Sequence, residues 1–346
     1  MRLVLVDDSI PFDGYTPMAH PLGGAEKAVL SLASALAGRG HEVRVFNRCR
    51  YRMTIEGVQW EPWDRARPLE CDALLAFRKP ALLGAVRQAA KRLLWLAAPP
   101  AYLNRPANRE LLEAFKPILL FQGPAHRASW QPEGLALADL PARLLPIGVR
   151  SDYLGEAATQ PQDPPLALAT THPAHGLDWL VGLWVAEIHP ALPKARLRLY
   201  SAGLARGLEG GPVAPDLAPI LALVKAATTQ GVEVARPQGD LDMAQAYRSA
   251  RVHLYPGHAD DVLASTLAES QAAGLPAVVR RLGAAPERIV DGQTGFAVPD
   301  DAAFANVALR LLSDDNLFWS QNREARFAQS GRGWERAAEE LESILR

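Results

Sequence analysis

Short apolar runs alternate with amphipathic stretches along nearly the whole chain, and that alternation predicts the fold class before any single residue is weighed. "RLVLV" (residues 2–6) ends in Asp7 and Asp8, the pattern of a buried parallel strand meeting a polar carboxyl edge. Beyond a loop reaching about Gly23, the positions Val29, Leu30, Leu32, Ala33 and Leu36 recur at helical spacing, and "GRGH" ends that helix before the strand "EVRVF". Strand, helix, strand is a βαβ unit. "CDALLAF", "RLLWLA" and "PILLFQ" continue as strands, with "PALLGAVRQAA" and "RELLEAF" read as the helices between them. A doubly wound parallel sheet follows.

After "RLLPIGV" the pattern is interrupted by "GEAATQPQDPP" (155–165), whose Pro, Gln and Asp content reads as an exposed linker. A second series then begins, with strands in "LALATTH", "ARLRLYSAG", "GVEVA" and "VHLYP" and helices in "GLDWLVGLWVAEI", "APILALVKAA" and "DMAQAYRSA". From Asp300 onward the chain reads as helical to its end, with Trp334, Ala338, Leu341 and Leu345 on one face. The expected organisation is a first α/β domain over 1–155, a second over 156–330 and a terminal helix over 331–346. Ligands of such sheets bind beyond the carboxyl ends of the strands, so the cleft between the two domains is where a site is expected.

Composition agrees with two cores. At 346 residues the chain exceeds the size at which one core usually stops growing. No apolar run reaches the roughly 20 residues needed to span a bilayer, and "MRLVLVDDS" opens without a leader pattern, so the expected compartment is the cytoplasm. Two isolated cysteines, Cys49 and Cys71, fit reduced thiols better than a disulfide framework or a zinc site, and no metal is expected. The net charge of -1 conceals an asymmetry: residues 1–150 hold 20 Lys and Arg against 14 Asp and Glu, whereas 151–346 hold 17 against 24. Arg39, Arg44, Arg48, Arg50 and Arg52 crowd one stretch of the basic half, and Arg87, Lys91 and Arg92 another. They suit an anionic acceptor or peripheral contact with a membrane surface, a solvated face without a partner being the plainer reading. No nucleic-acid partner is expected.

Two places carry candidate chemistry. Gly23 and Gly24 precede Glu26 where the first helix opens, and paired glycines let a backbone approach an anion at a helix start. A tight turn explains them equally well, and the G-x-G-x-x-G dinucleotide fingerprint is missing. In "DDVLASTLAESQAAGLPAVV" (260–279), Asp261 lies in the loop after a strand and Glu269 inside the helix that follows from about Ser265. The two acids would converge on one ligand from loop and helix, accepting hydrogen bonds from the adjacent hydroxyls of a ribose or hexose. The alternative is that Asp260 or Asp261 caps the helix and Glu269 is solvated.

"PLGGAEKAVLSLASALAGRGHEVRVF" resembles the first βαβ unit of the family-4, or group 1, retaining glycosyltransferases, and "DVLASTLAESQAAGLPAVVRRLGAAPERIVDGQTGFAVPDD" resembles their donor-site segment. Glu269, Gly274, Pro276, Gly283, Pro286, Glu287, Asp291, Gly292, Thr294, Gly295 and Pro299 fall in register with that family's pattern. The resemblance implies the B-type glycosyltransferase (GT-B) fold, two Rossmann-like domains facing a cleft, with the terminal helix returning to the first domain. It implies a nucleotide diphosphate sugar as donor on the second domain, bound as substrate with no cofactor or metal, and a saccharide or lipid-linked acceptor on the first. Carried over by position, Glu269 would hold the ribose hydroxyls and Asp261, in place of the family's first Glu, the sugar hydroxyls. The backbone amides of Ser265 and Thr266 would lie near the diphosphate, with Gly23 and Gly24 approaching it from the other domain.

Three departures bear on chemistry. Where the family carries Arg and Lys to neutralise the departing diphosphate, "ATTHPAHG" places Thr170 and His175, with His172 nearby as a further candidate. Where relatives place a first-domain histidine stand Ala97 and Ala98, and His126 lies one strand later out of that register. Arg280 and Arg281 occupy positions more often small or acidic, and Arg280 is a candidate for restoring positive charge. The sequence therefore leaves three readings: a retaining hexosyl transferase, a non-catalytic nucleotide- or glycan-binding relative, and a nucleotide-sugar epimerase on the same fold.

Overall fold

A computed structural model describes residues 1–155, 160 and 163–346, in two compact units: Met1–Gly148 with Arg332–Arg346, and Val149–Gly331. Most of the linker read at 155–165 lies outside the described residues. The first unit holds an eight-stranded sheet of β1 (Arg2–Val6), β2 (Glu42–Asn47), β3 (Met53–Ile55), β4 (Val58–Pro62), β5 (Glu70–Phe77), β6 (Gln88–Trp95), β7 (Ile118–Phe121) and β8 (Ala142–Leu144). Its spatial order is β3-β4-β2-β1-β5-β6-β7-β8, parallel except for β3 at the edge. Successive residues of β1 serve opposite faces, as the pleat requires. Leu3 and Leu5 join the core beneath the helices Gly24–Gly38 and Trp334–Leu345, and Val4 and Val6 join the core on the other face. Cys49 and Cys71 are both free and buried, one in each of these cores, and burial pushes both thiols up to about 11.

One expectation is corrected here and two are refined. "PALLGAVRQAA" is not a helix: a short 3-10 turn, Pro80–Gly84, is followed at once by β6. The Arg92 guanidinium accounts for this, donating to the carbonyls of Leu83, Val86, Arg87 and Ala89 and so tying the crossover down onto the strand it feeds. The hairpin β3–β4, turning at Glu56-Gly57 with both residues at positive φ, was not anticipated, although a Gly-containing two-residue link between apolar runs is its signature. The helical tail is three helices, Asp301–Ser313, Asp315–Gln329 and Trp334–Leu345. Asp314 separates the first two by accepting from Leu317 N–H at 3.1 Å, and the Gly-rich stretch before Trp334 separates the last. Trp334, Ala338, Leu341 and Leu345 do share one buried face, in the core of the first unit.

The second unit carries a six-stranded parallel sheet of β9 (Leu166–Ala169), β10 (Arg196–Tyr200), β11 (Val232–Ala235), β12 (Val252–Tyr255), β13 (Ala277–Arg280) and β14 (Gly295–Val298). The order β11-β10-β9-β12-β13-β14 means that the chain winds outward from β9 in one direction and from β12 in the other. The switch of direction lies between β9 and β12, and the loops beyond their carboxyl ends are where an open α/β sheet takes a ligand. Where composition put the boundary at 155, the chain already belongs to the second unit from Val149. Arg150 pairs with Asp240 at 2.9 Å, and the buried Tyr153 donates to the same carboxylate at 2.7 Å.

Candidate functional site

The loop after β9 runs from Thr170 to Gly176, and the loop after β12 from Pro256 to Ala264. They meet at Gly176: its φ of +94° suits glycine, and a Cβ there would stand 3.1 Å from Pro256 Cβ. Behind the second loop, Gly283 sits at φ +56°, where a Cβ would fall 2.3 Å from the His258 carbonyl oxygen and 2.5 Å from that of Asp261. Ala284 N–H donates to the Asp261 carbonyl at 2.8 Å, and Arg288 Nε donates to the Leu263 carbonyl at 2.9 Å. The "LGAAPER" segment thus braces the backbone of the acidic loop.

Asp261 is part of that brace. Its Oδ1 accepts from Ala264 N–H at 2.8 Å, and its Oδ2 accepts from the hydroxyl of Tyr255, a fully buried residue at the end of β12. Ala264 takes the left-handed conformation, φ +46°, and the helix Ser265–Ala272 starts after it. Ser265 and Thr266 open this helix, so their N–H groups are among those without an intrahelical acceptor. Glu269 lies one turn further in and is not solvated: it is 8% exposed. Burial raises the phenols of Tyr153 and Tyr247 well above their ordinary range, and the neighbouring Glu269 carboxylate adds to the shift in both.

Thr170 differs from its expected role. Its hydroxyl lies 3.0 Å from Nε2 of His253, and Nδ1 of His253 lies 2.7 Å from Ser270 Oγ. Ser270 gives its single proton to the Leu267 carbonyl at 3.0 Å, so it can only accept from His253. His253 therefore carries its proton on Nδ1, and its Nε2 accepts the Thr170 proton. Thr170 has no proton left to donate to a phosphate. His253 is fully buried, and burial pulls its pKa down to about 3, so this chain of hydrogen bonds runs through a neutral ring. Neither His253 nor Ser270 was singled out from sequence, although a histidine within the apolar strand "VHLY" was the available signal.

His175 lies in the same loop with its ring stacked on that of His258, and its pKa is lowered, first by burial and next by His258. His172 is exposed and flanks it. Thr171, 5% exposed, has a hydroxyl that finds no partner among the described residues. Arg280 points its charge elsewhere: its guanidinium sits 4.5 Å over the ring of Trp179, whose Nε1 donates to Asp301 at 3.1 Å.

The remaining candidates belong to the first unit. His126 is fully buried, accepts from Gln122 N–H on Nδ1 at 3.2 Å and donates from Nε2 to the Ala98 carbonyl at 3.0 Å. Burial pulls its pKa down to about 4, and both nitrogens are committed to the loops they hold. Gly23 caps the helix Gly24–Gly38, but a Cβ on it would lie 2.5 Å from Oε2 of Glu26, whose carboxylate already faces that helix start and pairs with Arg78 at 2.5 Å. Most of the basic residues picked out from sequence are engaged within their own unit. Arg39 pairs with Glu339 and Glu342, Arg44 with Glu42 and Arg52 with Glu61, while Lys91 donates to the carbonyls of Ile344 and Leu345. Among the described residues, no helix is long and apolar enough to cross a membrane.

Residues 166–314 match the family described as glycosyl transferases group 1. Among curated proteins, a D-inositol 3-phosphate glycosyltransferase from Streptomyces avermitilis is 31% identical over 178 residues, 46% of this chain and 38% of that protein. Another of the same name, from Streptomyces coelicolor, is 34% identical over 136 residues, 37% of this chain and 29% of that protein. The matched region thus spans well under half the length of these relatives. Among solved structures, a sucrose-phosphate synthase from Thermosynechococcus elongatus superposes with a TM-score of 0.74 at 16% identity, covering 99% of this chain and 98% of that one. Alr3699/HepE from Anabaena, solved in complex with UDP and glucose, superposes with a TM-score of 0.68 at 14% identity, covering 100% and 99%. The second unit thus carries a region similar to the group 1 glycosyl transferases over residues 166–314, and the chain shares its fold with these solved structures.

Proposed function

We propose that the second unit binds a nucleotide diphosphate sugar and that the protein moves the hexosyl group, with retention, to an acceptor hydroxyl of a glycan or lipid-linked saccharide. The observation that carries this reading is the buried carboxylate of Glu269, which follows the Ser265 and Thr266 amides of a helix start beside the switch point of a parallel sheet. A carboxylate can take both hydroxyls of a ribose, and the helix start favours the diphosphate next to it. In the reaction the anomeric C–O bond to the diphosphate breaks and a bond to the acceptor oxygen forms. The acceptor proton passes to a phosphate oxygen on the same face, so the protein positions the reactants and stabilises charge without a side-chain nucleophile. A membrane-borne acceptor draws support only from the net charge of the first half, most of whose clustered cations are already engaged.

The test is incubation of the full chain with a panel of nucleotide sugars, with nucleotide release as the readout. Release that needs an acceptor and is lost in Glu269→Ala is expected; binding without turnover for every pair of donor and acceptor would sink the transferase reading. A second reading, a binder without turnover, is favoured by one observation. Neither Thr170, whose proton goes to His253, nor His175, held below its ordinary pKa, supplies a permanent positive charge for the leaving diphosphate. An epimerase would instead release nucleotide and an altered sugar with no acceptor present.

A further inference from the structure

The loops after β9 and β12 hold three histidines where a permanent cation pair is expected, and their hydrogen bonds give them unequal roles. His175 and His258 lie ring on ring, with centroids 4.4 Å apart and planes within 9°. His172 flanks His175 at 5.4 Å, tilted by 57°. Two of the three have Nδ1 engaged by their own turns: His258 Nδ1 accepts from Asp260 N–H at 3.1 Å, with the Asp260 carboxylate 3.8 Å away, and His172 Nδ1 accepts from Ala174 N–H at 3.3 Å. In each this leaves Nε2 as the nitrogen free to donate to a ligand. The ring of His175 makes no hydrogen bond among the described residues, so both of its nitrogens are uncommitted and it can take up a proton without breaking one.

The titratable groups facing His175 come from both loops. Burial above all, and then His258 and His172, oppose a charge on it, whereas the carboxylates of Asp261 and Asp260 favour one. The two acids are placed differently: Asp261 is tied to Tyr255 and Ala264, and Asp260 is exposed. The balance leaves His175 neutral near pH 7 on its own, and an arriving polyanion shifts that balance in the proton's favour. The histidines do not make a metal site, since no group of three His, Cys, Asp or Glu among the described residues could hold an ion. The nearby buried hydroxyl of Thr171, without a partner among the described residues, is a further donor for such an anion.

Resting on the donor-site reading above, we propose that a nucleoside diphosphate binds these two loops together with one proton, taken up by the His175 ring, between the Nε2 donors of His172 and His258. The site then makes its cation when the ligand arrives, where a lysine would hold one permanently. Linkage fixes the sign: if the complex binds one proton more than the free partners, affinity falls as pH rises, by up to about tenfold per pH unit. The ligand's own last phosphate ionisation, near pH 6, is complete by about pH 7.5 and does not contribute above it.

The test is calorimetric titration of the full chain with uridine, guanosine and adenosine diphosphates from pH 7.5 to 8.5, in buffers of different ionisation enthalpy. For whichever nucleotide binds, uptake of close to one proton and a matching fall in affinity with pH are expected. His175→Gln should bind about tenfold more weakly, with no proton uptake and a flat pH profile. His175→Lys should recover the affinity with an equally flat profile, an outcome that loss of folding could not produce. Binding without proton uptake, or uptake that persists in His175→Gln, overturns the proposal while leaving the donor site intact. Binding of no nucleoside diphosphate at any pH overturns the donor-site reading and this proposal with it.

Discussion

Thr170 stands where a charged ligand-binding residue is expected from the family pattern, yet its geometry assigns it to the interior, and the substitution Thr170→Val separates the two roles. Valine keeps the branched shape and removes only the hydroxyl, so His253 Nε2, fully buried, loses the proton donor that it accepts from at 3.0 Å. A buried acceptor left without a partner costs about 1 to 3 kcal/mol. For a unit of this size each kcal/mol moves the melting temperature by about 2 to 4 °C, so a drop of several degrees is expected. Ser270→Ala removes the acceptor at the other end of the same ring, 2.7 Å from Nδ1, and should cost a similar amount. Because both changes act through His253, the double variant should lose less than the sum of the two. Thermal denaturation measures the stability, and titration with a nucleoside diphosphate that the parent binds measures the site, where affinity should stay within about twofold of the parent, since no ligand contact is removed. Unchanged melting together with a tenfold or greater loss of affinity would refute the reasoning and return Thr170 to the ligand.

Other perturbations test neighbouring features. Glu269→Gln removes the charge of a buried carboxylate while keeping its shape, and should weaken nucleoside diphosphate binding about tenfold or more by calorimetry without lowering the melting temperature. Gly283→Ala combines a left-handed backbone with a Cβ only 2.3 Å from a carbonyl oxygen, and should destabilise the second unit by at least about 1 to 3 kcal/mol in denaturant titration. The two buried neutral histidines have depressed folded-state pKa values, so the stability tied to their neutrality is complete above about 6.5. It is lost as pH falls towards about 4 for His126 and about 3 for His253, which a series of melting curves would reveal as a decline beginning below pH 6.5. Glu342, held down to about 2 by the Arg39 and His41 contacts, should contribute about 1 kcal/mol to the first unit at neutral pH. That contribution is complete above about pH 4.5 and lost as pH falls through about 2, so Glu342→Gln and the parent should converge in acid unfolding near that pH.

What the sequence showed and what it hid divide along the range of the interactions involved. The strands β1, β7, β9 and β12 and the helix Ser265–Ala272 were legible because each is specified by its own apolar period and its own turn residues. The residues 80–90 were misread because what decides their backbone is Arg92, which reaches back from the middle of the next strand to three carbonyls of the crossover and one at the start of its own strand. Local propensity favours a helix there, and a tertiary contact overrides it. The same distinction runs through the site. Glu269 could be found from its spacing, whereas the commitment of Thr170 depends on His253 and Ser270, one 83 and the other 100 positions along the chain.

The loss of an Arg and Lys pair looks, in one dimension, like the loss of a function. In three dimensions one of the two replacements closes a neutral hydrogen-bond chain in the core, and the other joins a histidine stack that no single stretch of sequence contains, since His172 and His175 lie on one loop and His258 on another. A fixed cation attracts a diphosphate at any pH, but it also lowers the energy of the bound ground state as well as that of the departing leaving group. A ring that takes its proton only as negative charge accumulates acts more strongly on the later state. If turnover is measured, this difference should appear in kcat more than in KM. His175→Lys would then bind the donor at least as tightly as the parent yet turn it over no faster, and a variant that gained equally in both would show that the permanent charge was simply missing.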